Sequence, residues 1–350
     1  MTPSIVHVIP TLENAGAETI LSRLVEEFHA QGYRQTIIIS KGSKQDFFYE
    51  RLLPFGSLFV WKSEKKQALT HLKELSNQTV LLGWMYDGIY FSYRLKWQFR
   101  FPFSVVWNIR QSNFQSGQIK QKIGLLAFGI LSQLLRPKII YCAHVAKAVH
   151  RKFLFFNKKS CVIQNRLAKK NAISPVSQID LPNEYVLFVG RYDPIKGTDR
   201  LLRIATDFLV SHPDFDLVIA GSGWQKENLP LQIQKKVFLL GNVSYVNLLY
   251  QNASGYLFTS YFEGYPNVLV EAVCSGCPIV AFQAGDASYI LASYPLGDLV
   301  NSEKDFLARL KDRIAKLPSK KERITIAKKQ KEYFLFERTV KEYHSFIFTP

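Results

Sequence analysis

Short apolar runs alternate with longer amphipathic segments twice along this chain, and no other feature constrains the fold as strongly. The chain opens with the apolar run SIVHVIP, continues with GAETILSRLVEEFHAQGY at helical spacing, and returns to the apolar run QTIIIS. Strand, helix and strand in this order form the unit of a parallel sheet with right-handed crossovers. Three later runs of the first half are predicted to be strands of the same sheet: TVLLGW, FSVVWNI and KIIYCA.

The pattern restarts in the second half of the chain, after a polar stretch broken by proline at residues 166–184. Five apolar runs there are predicted to be strands separated by helices: YVLFVGR, FDLVIAGSG, KVFLLGNV, GYLFTSY and PIVAF. The sequence therefore predicts an α/β fold with two doubly wound, Rossmann-like domains. Two such domains are expected to face each other across a cleft, since ligands bind beyond the carboxyl ends of the strands.

Length and composition fit two cytoplasmic domains. A chain of 350 residues with 47% hydrophobic residues can build two cores. Its four cysteines do not suggest a disulfide framework, so a reducing cytoplasm is expected. The first residues do not look like a signal peptide, and no apolar run reaches the ~18–20 residues that a spanning helix needs.

Positive charge is concentrated in the first half. Residues 1–170 hold 25 Lys and Arg against 9 Asp and Glu, whereas residues 171–350 hold 20 against 19. Between Asp87 and Asp180 there are 16 Lys and Arg and no acidic residue. Such an excess favours an anionic partner, namely anionic lipid, nucleic acid or an acidic substrate. Ordinary solubility charge is the alternative.

Four groups of candidate ligand-binding residues follow strands of the second half. Arg191 and Lys196 follow the first strand and suit a diphosphate, because two cations stabilise charge on a leaving group. The turn from Gly221 to Gly223 allows close backbone approach to a ligand. Glu263 follows another strand, and Glu271 is expected about one turn into a helix that starts near Asn267. Taken singly, each is more often a surface residue, a strand-end glycine or a carboxylate that compensates the helix dipole.

The order and spacing of these residues, followed by GCPIVAF, resemble the donor-binding half of glycosyltransferase family 4. HVIPTLENAGAE resembles the first strand and glycine-rich loop of that family, and GWMYDGIY and WNIRQSN resemble acceptor-side segments of members that build bacterial surface polysaccharide and lipopolysaccharide. The resemblance covers nearly the whole chain. It implies the GT-B fold and retention of anomeric configuration. It also implies an acceptor-binding domain at 1–167, a nucleotide-sugar-binding domain at 180–331, and a C-terminal helix at 332–350 that crosses back to the first domain.

The resemblance also implies a role for each matching position. Arg191 and Lys196 are similar to the pair that binds the diphosphate, Glu271 to the carboxylate that holds the ribose, and Glu263 to the one that contacts the donor sugar. The expected donor-binding residues are completed by Gly16, Gly221, Gly223, Gly264, Tyr265, Pro266 and Asn267. The implied mechanism is a front-face displacement without metal or cofactor by a hexosyltransferase-type enzyme, with a UDP-sugar as the favoured co-substrate.

Some positions depart from the family pattern. Ala15 stands where a second glycine is usual, and Asn165-Arg166 stands where Asn-Gly is usual. A histidine common in the family is absent, so Arg110 is expected to contact the donor or acceptor in its place. Asp87 is a candidate for orienting an acceptor hydroxyl, with a turn-forming Asp before Gly88 as the alternative.

The segment from Gln118 to Lys138 is a candidate for membrane docking. Residues 123–135 contain only two polar side chains, and basic residues flank both ends, which suits a helix in the interface of an anionic bilayer. A core helix of the first domain is the alternative. The predicted docking residues are Lys120, Lys122, Leu125, Leu126, Phe128 and Leu131.

The combined hypothesis is a retaining glycosyltransferase, peripheral on the inner face of the cytoplasmic membrane. It would move a sugar from a nucleoside diphosphate sugar to a growing, lipid-linked surface glycan. The alternatives are a glycosyltransferase with a soluble acceptor, a basic nucleic-acid-binding protein, and a partner subunit of this fold without catalysis. No nucleic-acid-binding module is recognisable, so nucleic acid is not the expected partner. The base, sugar, acceptor and linkage stay open.

Overall fold

The computed structural model describes residues 4–13, 16–111, 119–166 and 181–349. The chain divides into two compact units, Met1–Asn165 with Glu337–Pro350, and Arg166–Phe336. We call them unit 1 and unit 2. Most of the stretch interpreted as a linker lies outside the described residues.

Unit 1 contains a seven-stranded, all-parallel sheet in the order β3-β2-β1-β4-β5-β6-β7. Its strands are β1 (Ser4–Ile9), β2 (Arg34–Ile39), β3 (Ser57–Val60), β4 (Val80–Trp84), β5 (Ser104–Ile109), β6 (Lys138–Tyr141) and β7 (Ser160–Val162). Its helices are α1 (Gly16–Ala30), α2 (Tyr49–Leu52), α3 (Trp61–Lys73), α4 (Met85–Gln98), α5 (Ile119–Leu135), α6 (His144–Arg151) and, from the C-terminus, α13 (Phe336–Phe348).

Unit 2 contains a six-stranded, all-parallel sheet in the order β10-β9-β8-β11-β12-β13. Its strands are β8 (Tyr185–Val189), β9 (Asp216–Ala220), β10 (Val237–Gly241), β11 (Gly255–Phe258), β12 (Ile279–Phe282) and β13 (Gly297–Val300). Its helices are α7 (Thr198–Ser211), α8 (Val246–Asn252), α9 (Asn267–Cys274), α10 (Ala287–Leu291), α11 (Glu303–Ala315) and α12 (Lys320–Tyr333).

The first strand–helix–strand unit shows why the sequence folds in this way. All six residues of β1 are buried, as expected for a central strand covered on both faces. Helix α1 buries Leu21, Leu24 and Phe28, which share one face at helical spacing. Gly32 takes a φ of 80° and ends the helix, while the N–H of Tyr33 donates to the Phe28 carbonyl. The predicted parallel α/β architecture is confirmed in both units.

Three strands were not predicted from the sequence: β3, β7 and β13. Each has three or four residues, and each lies at the edge of its sheet. None of the three is buried along its whole length, and none contains more than three apolar residues in a row, which is too short to identify a strand by pattern.

Helix α13 packs within unit 1. The hydroxyl of Tyr343, which is fully buried, donates to Asn108 Oδ1 at 3.2 Å. Thr339 Oγ1 donates to the Gln164 carbonyl at 3.0 Å, and Lys138 Nζ donates to the Phe346 carbonyl at 3.1 Å. The last helix is thus bonded to β5, β6 and the segment after β7.

Candidate functional site

The candidate site of unit 2 lies at the carboxyl ends of β8, β9 and β11. The chain leads from β8 to β9 and β10 on one side of the sheet, whereas β11 lies on the other side of β8. The strand order therefore reverses between β8 and β11, and loops leave these two strands in opposite directions. Such a switch point is where open α/β sheets bind ligands.

The loop after β8 fixes the position of Arg191. Its guanidinium Nη2 lies 2.8 Å from Asp193 Oδ2, and its side chain is largely exposed. Asp193 Oδ1 accepts a hydrogen bond of 2.9 Å from the Ile195 N–H and so caps the one-turn 3-10 helix Pro194–Lys196. This backbone bond, and then Arg191, hold the pKa of the Asp193 carboxyl below its usual value. Asp193 is therefore a charged anchor that keeps Arg191 at the strand end.

Lys196 and Glu263 meet across the switch point. Lys196 Nζ lies 2.7 Å from Glu263 Oε1, and both side chains are mostly buried. Ser260 Oγ donates to the same carboxylate oxygen at 2.9 Å. Thr259 Oγ1 donates to the Lys196 carbonyl at 2.9 Å, so the loops after β8 and β11 are bonded through both backbone and side chains. A cation and a carboxylate, 67 residues apart in sequence, are thereby held at one point.

Gly221 and Gly223 form the third loop, after β9. Gly221 has a φ of 145°, and a Cβ at this position would overlap the Gly190 carbonyl oxygen. The N–H of Tyr192 donates to the Ser222 carbonyl at 2.8 Å. The turn is therefore packed directly against the loop that carries Arg191, and a side chain at Gly221 would displace it.

The amino end of α9 supplies the remaining candidate residues. Helix α9 begins at Asn267 as predicted, and Glu271 follows one turn later with its side chain half-buried. Among the described residues, the buried atoms Asn267 Oδ1 and Tyr265 Oη have no hydrogen-bond partner. Buried polar atoms without partners are rare in folded proteins. A pair of them beside the free N–H groups of a helix start marks a place where a polar ligand fits.

Three residues of this site were missed by the sequence analysis: Asp193, Ser260 and Arg200. Arg200 donates to the carbonyls of Thr259 and Ser260, both at 2.5 Å, and its guanidinium lies 3.9 Å from the Tyr261 ring centroid. It thus holds the loop that carries Glu263. In the sequence, these three residues are marked only by lying close to the motif residues. Contacts to backbone carbonyls do not require a particular partner residue, so they cannot be recognised from the sequence.

Unit 1 holds Arg110, Asp87 and Gly16 near the carboxyl ends of its strands. Arg110 directly follows β5 and donates to Asn165 Oδ1 and, at 3.1 Å, to the Tyr343 hydroxyl. Asn165 lies in the segment after β7 and Tyr343 in α13, so Arg110 has a clear structural role. Gly16 is the first residue of α1, and a Cβ there would meet nothing within 4 Å.

Asp87 lies within the first turn of α4 and not in a turn before Gly88. It forms an exposed ion pair with Lys41 at 2.9 Å. The sequence analysis also passed over Glu18, in the first turn of α1, where a carboxylate usually only compensates the helix dipole. Glu18 is instead buried, and burial raises the pKa of its carboxyl above the usual value.

Helix α5, in the segment from Gln118 to Lys138, has one face packed against the rest of unit 1 and one face exposed. The core-helix and the membrane-docking interpretations therefore each apply to one face. Leu125 is only 3% exposed, so its assignment as a membrane-docking residue is wrong, because it lies on the face that packs on unit 1. Phe128 is half-buried, and its ring centroid lies 4.9 Å from that of Tyr86. The opposite face exposes large apolar side chains, which we call the α5 stripe: Ile123, Leu126, Ile130 and Leu134.

Two further observations bear on membrane contact. Lys122 is exposed at the start of α5, Leu131 is half-buried, and the Lys120 side chain lies outside the described part of the structure. No helix among the described residues is both long and apolar enough to span a bilayer.

Comparisons with known proteins agree with this architecture. Residues 169–331 match the family model of the glycosyl transferases group 1. An uncharacterized glycosyltransferase of Haemophilus influenzae is 27% identical over 76% of this chain and 76% of its own length. A Campylobacter jejuni N-acetylgalactosamine-N,N'-diacetylbacillosaminyl-diphospho-undecaprenol 4-alpha-N-acetylgalactosaminyltransferase is 30% identical over 46% of each chain. The second unit is thus similar in sequence to group 1 glycosyltransferases.

Solved structures show the same fold. The crystal structure of Anabaena HepE in complex with UDP superposes with a TM-score of 0.74 at 14% identity, covering 99% of both chains. The fold of this chain is therefore GT-B, with two Rossmann-like α/β domains.

Proposed function

We propose that this chain is a retaining, hexosyltransferase-type enzyme that moves a sugar from a nucleoside diphosphate sugar to a growing glycan. The observation that carries the proposal is the Lys196–Glu263 pair at the switch point of unit 2; the unpartnered Asn267 Oδ1 at the start of α9 supports it. A cation, a carboxylate and a helix amino end match the phosphate, hydroxyl and oxygen groups of one sugar nucleotide.

The proposed chemistry requires positioning and charge stabilisation. An acceptor hydroxyl attacks the anomeric carbon as the bond to the diphosphate breaks, and the leaving phosphate takes the hydroxyl proton. Arg191 and Lys196 stabilise the negative charge that develops on the diphosphate, as fixed cations do in other transferases. Glu263 orients the donor sugar. Glu271 accepts hydrogen bonds from the ribose. We propose no metal ion and no cofactor, and favour a UDP-sugar as donor because HepE, a protein of the same fold, binds UDP.

The test of the donor site is a thermal-shift panel of UDP, GDP, ADP, CMP and their sugar conjugates without added metal. One nucleotide is expected to raise the melting temperature, because a ligand that binds only the folded state stabilises it by mass action. Glu271→Ala removes the carboxylate proposed to accept two charge-assisted hydrogen bonds from the ribose. It is expected to lower the affinity for that nucleotide about 10-fold or more.

The matched control for Glu271→Ala is Glu332→Ala, an exposed carboxylate of the same unit on α12. It should leave the nucleotide shift unchanged. If no nucleotide shifts the melting temperature of the folded protein, the proposed donor site is wrong. A binding protein without catalysis would then be favoured.

For the acceptor we propose a lipid-linked glycan, with unit 1 docked on the inner face of the cytoplasmic membrane. The α5 stripe supports this, since four exposed large apolar side chains on one helix face are unusual on a soluble surface. The absence of any acidic residue between Asp87 and Asp180 adds attraction to anionic lipid. The Campylobacter relative is named for an acceptor carried on diphospho-undecaprenol.

Replacing Ile130 and Leu134 by serine is expected to lower partitioning onto anionic vesicles by at least about 10-fold, because each side chain contributes ~1.5–3 kcal/mol when fully buried in an apolar phase. Both side chains are exposed, so the fold should be unaffected. Co-sedimentation with phosphatidylglycerol vesicles measures the effect.

The matched control is Val210→Ser with Leu231→Ser, which removes two exposed apolar side chains from unit 2. Equal losses in both double variants would mean that general surface hydrophobicity drives the binding. Undiminished binding of the Ile130 and Leu134 variant would leave a soluble acceptor as the better proposal. Binding to DNA in place of vesicles, with a steep salt dependence, would favour the nucleic-acid alternative.

A further inference from the structure

A cavity of about 370 Å³ lies at the edge of the unit 1 sheet opposite to the strand ends described above. We call it the amino-edge cavity, because β5 begins at Ser104 and β6 at Lys138, and both residues line it. Its other walls are the last turn of α4, the end of α5 and the residue before β7. The lining residues used below are Lys96, Trp97, Ser104, Arg136, Lys138 and Lys159.

Four of these residues are cations, and no carboxylate of the described part of the chain lines this cavity. Lys96 Nζ donates to the Phe103 carbonyl at 2.7 Å, and Lys138 Nζ donates to the Phe346 and Ile347 carbonyls at the end of α13. Lys138 Nζ also donates to the Thr349 carbonyl, so these bonds fix both ammonium groups, and no Asp or Glu of the described residues forms an ion pair with either of them.

Arg136 and Lys159 have no ion-pair partner among the described residues, and both are exposed. Burial, and then the charge of Lys159, lower the pKa of Lys138 from its usual value. An anion bound near Lys138 and Lys159 would offset the repulsion between these two cations. Glu342 lines the adjoining cavity of about 460 Å³ and not this one.

The backbone conformation of Arg136 fixes where its side chain starts. Arg136 has a φ of 47°, in the left-handed region that costs a side-chain-bearing residue roughly 1–2 kcal/mol. This conformation ends α5 and places the residue at the cavity wall ahead of Pro137. A left-handed residue directly after the last helical position is a common helix end.

The surroundings of the cavity indicate which anion fits. Trp97 lines the cavity and is 55% exposed, and Leu134, the last residue of the α5 stripe, is 75% exposed. Beside them Phe156 is exposed, and Gln133 Nε2 donates to the Leu154 carbonyl at 2.8 Å, which ties that loop to α5. Tryptophan prefers the headgroup level of a bilayer, where lipid phosphates lie just above the acyl chains.

We propose that the amino-edge cavity binds the phosphate of an anionic phospholipid headgroup when the α5 stripe docks on a bilayer. This rests on the membrane docking proposed above and adds a discrete lipid site, separate from the donor site of unit 2. Lys138 and Lys96 form its floor, and Arg136 and Lys159 close on the phosphate from the exposed side. A zwitterionic choline headgroup is expected to bind more weakly, because its quaternary ammonium offsets the charge of the phosphate.

The test uses the double variant Arg136→Gln with Lys159→Gln, which leaves the two hydrogen-bonded lysines in place. Partitioning onto phosphatidylcholine vesicles containing phosphatidylglycerol is expected to fall about 30-fold relative to wild type, from the loss of two cations close to the lipid surface. Lys328→Gln with Lys329→Gln on α12 removes the same charge from unit 2 and should change partitioning less than about 3-fold.

A second measurement separates a discrete site from diffuse attraction. Monomeric dihexanoyl-phosphatidylglycerol, titrated calorimetrically in the absence of vesicles, should bind the wild type saturably and the Arg136 and Lys159 variant not at all. Inorganic phosphate at the same concentration should bind the wild type more weakly, because it has no acyl chains to contact Trp97 and Leu134, and dihexanoyl-phosphatidylcholine should bind more weakly because its headgroup has no net charge. Equal binding of inorganic phosphate would assign the cavity to a soluble anion and overturn the proposal.

The outcomes also separate this proposal from those on which it rests. If the Arg136 and Lys159 variant partitions like wild type, the lipid site is wrong while docking by the α5 stripe stands. If the wild type does not bind anionic vesicles, both the proposed docking and the proposed lipid site are wrong. Nucleotide-dependent thermal shifts, which report on unit 2, should be the same in wild type and variant in every case.

Discussion

Replacing Lys196 by methionine is expected to lower kcat about 10²–10³-fold, the range observed when one preorganised group that stabilises transition-state charge is removed. Lys196 Nζ lies 2.7 Å from Glu263 Oε1, so its ammonium is held at the switch point before any donor arrives. Methionine keeps the length and apolar volume of the stem but supplies no charge to the leaving diphosphate. The loss should fall mainly on kcat, because the charge on the diphosphate grows as its bond to the sugar breaks.

The measurement is steady-state release of the nucleotide identified by the thermal-shift panel, with the matching sugar nucleotide as donor. Lys235→Met is the control, since Lys235 is an exposed lysine of the same unit. Ser260 Oγ still donates to Glu263 in the Lys196 variant, so the loop after β11 should keep its position. A Lys196 variant with wild-type kcat would rule out this residue as the stabiliser of the leaving group.

Arg323→Met is expected to lower the free energy of unfolding by about 3 kcal/mol or more, in the range measured when one partner of a buried charged network is removed. Arg323 is 4% exposed in α12 and donates to four backbone carbonyls. Its Nη2 donates to the carbonyls of Tyr250, Gln251 and Ala253 at 2.9–3.2 Å, and its Nε donates to that of Gly276 at 3.0 Å.

These four acceptors are carbonyls at the ends of α8 and α9, where helices have no partners of their own. Methionine would fill the space but leave the carbonyls buried without donors. Arg323→Lys should not restore stability, because lysine has a single nitrogen and cannot reach both helix ends as the guanidinium does. Urea denaturation measures the loss. Lys321→Met, an exposed change in the first turns of the same helix, should change the unfolding free energy by less than about 0.5 kcal/mol.

Much of the fold could be predicted, because the buried strands and amphipathic helices of a parallel α/β protein each have a recognisable local sequence pattern. Central strands such as β1 are continuous apolar runs, and α1 ends at Gly32 as the sequence indicates. The short edge strands β3, β7 and β13 carry too few buried residues to be recognised in this way.

The candidate donor site was predictable only as a set of motif positions. Nothing in the sequence pairs Lys196 with Glu263, since the pairing depends on β8 and β11 being neighbours in the sheet. Arg200 and Asp193 act on backbone groups, which any residue offers, so their partners leave no trace in the sequence. Leu125 and Leu126 are adjacent and chemically identical, and only the packing of α5 decides that the first is buried and the second exposed.

The return of α13 to unit 1 has a consequence for how the chain is made. Unit 1 consists of Met1–Asn165 and Glu337–Pro350, and Tyr343 of the second segment is buried against Asn108 and Arg110 of the first. All of unit 2 is synthesised between these parts, as if it were inserted into a gap in unit 1. Domains usually fold in order as they leave the ribosome. Here unit 2 is synthesised between the two segments of unit 1, so unit 1 can be completed only after the whole of unit 2 has been made.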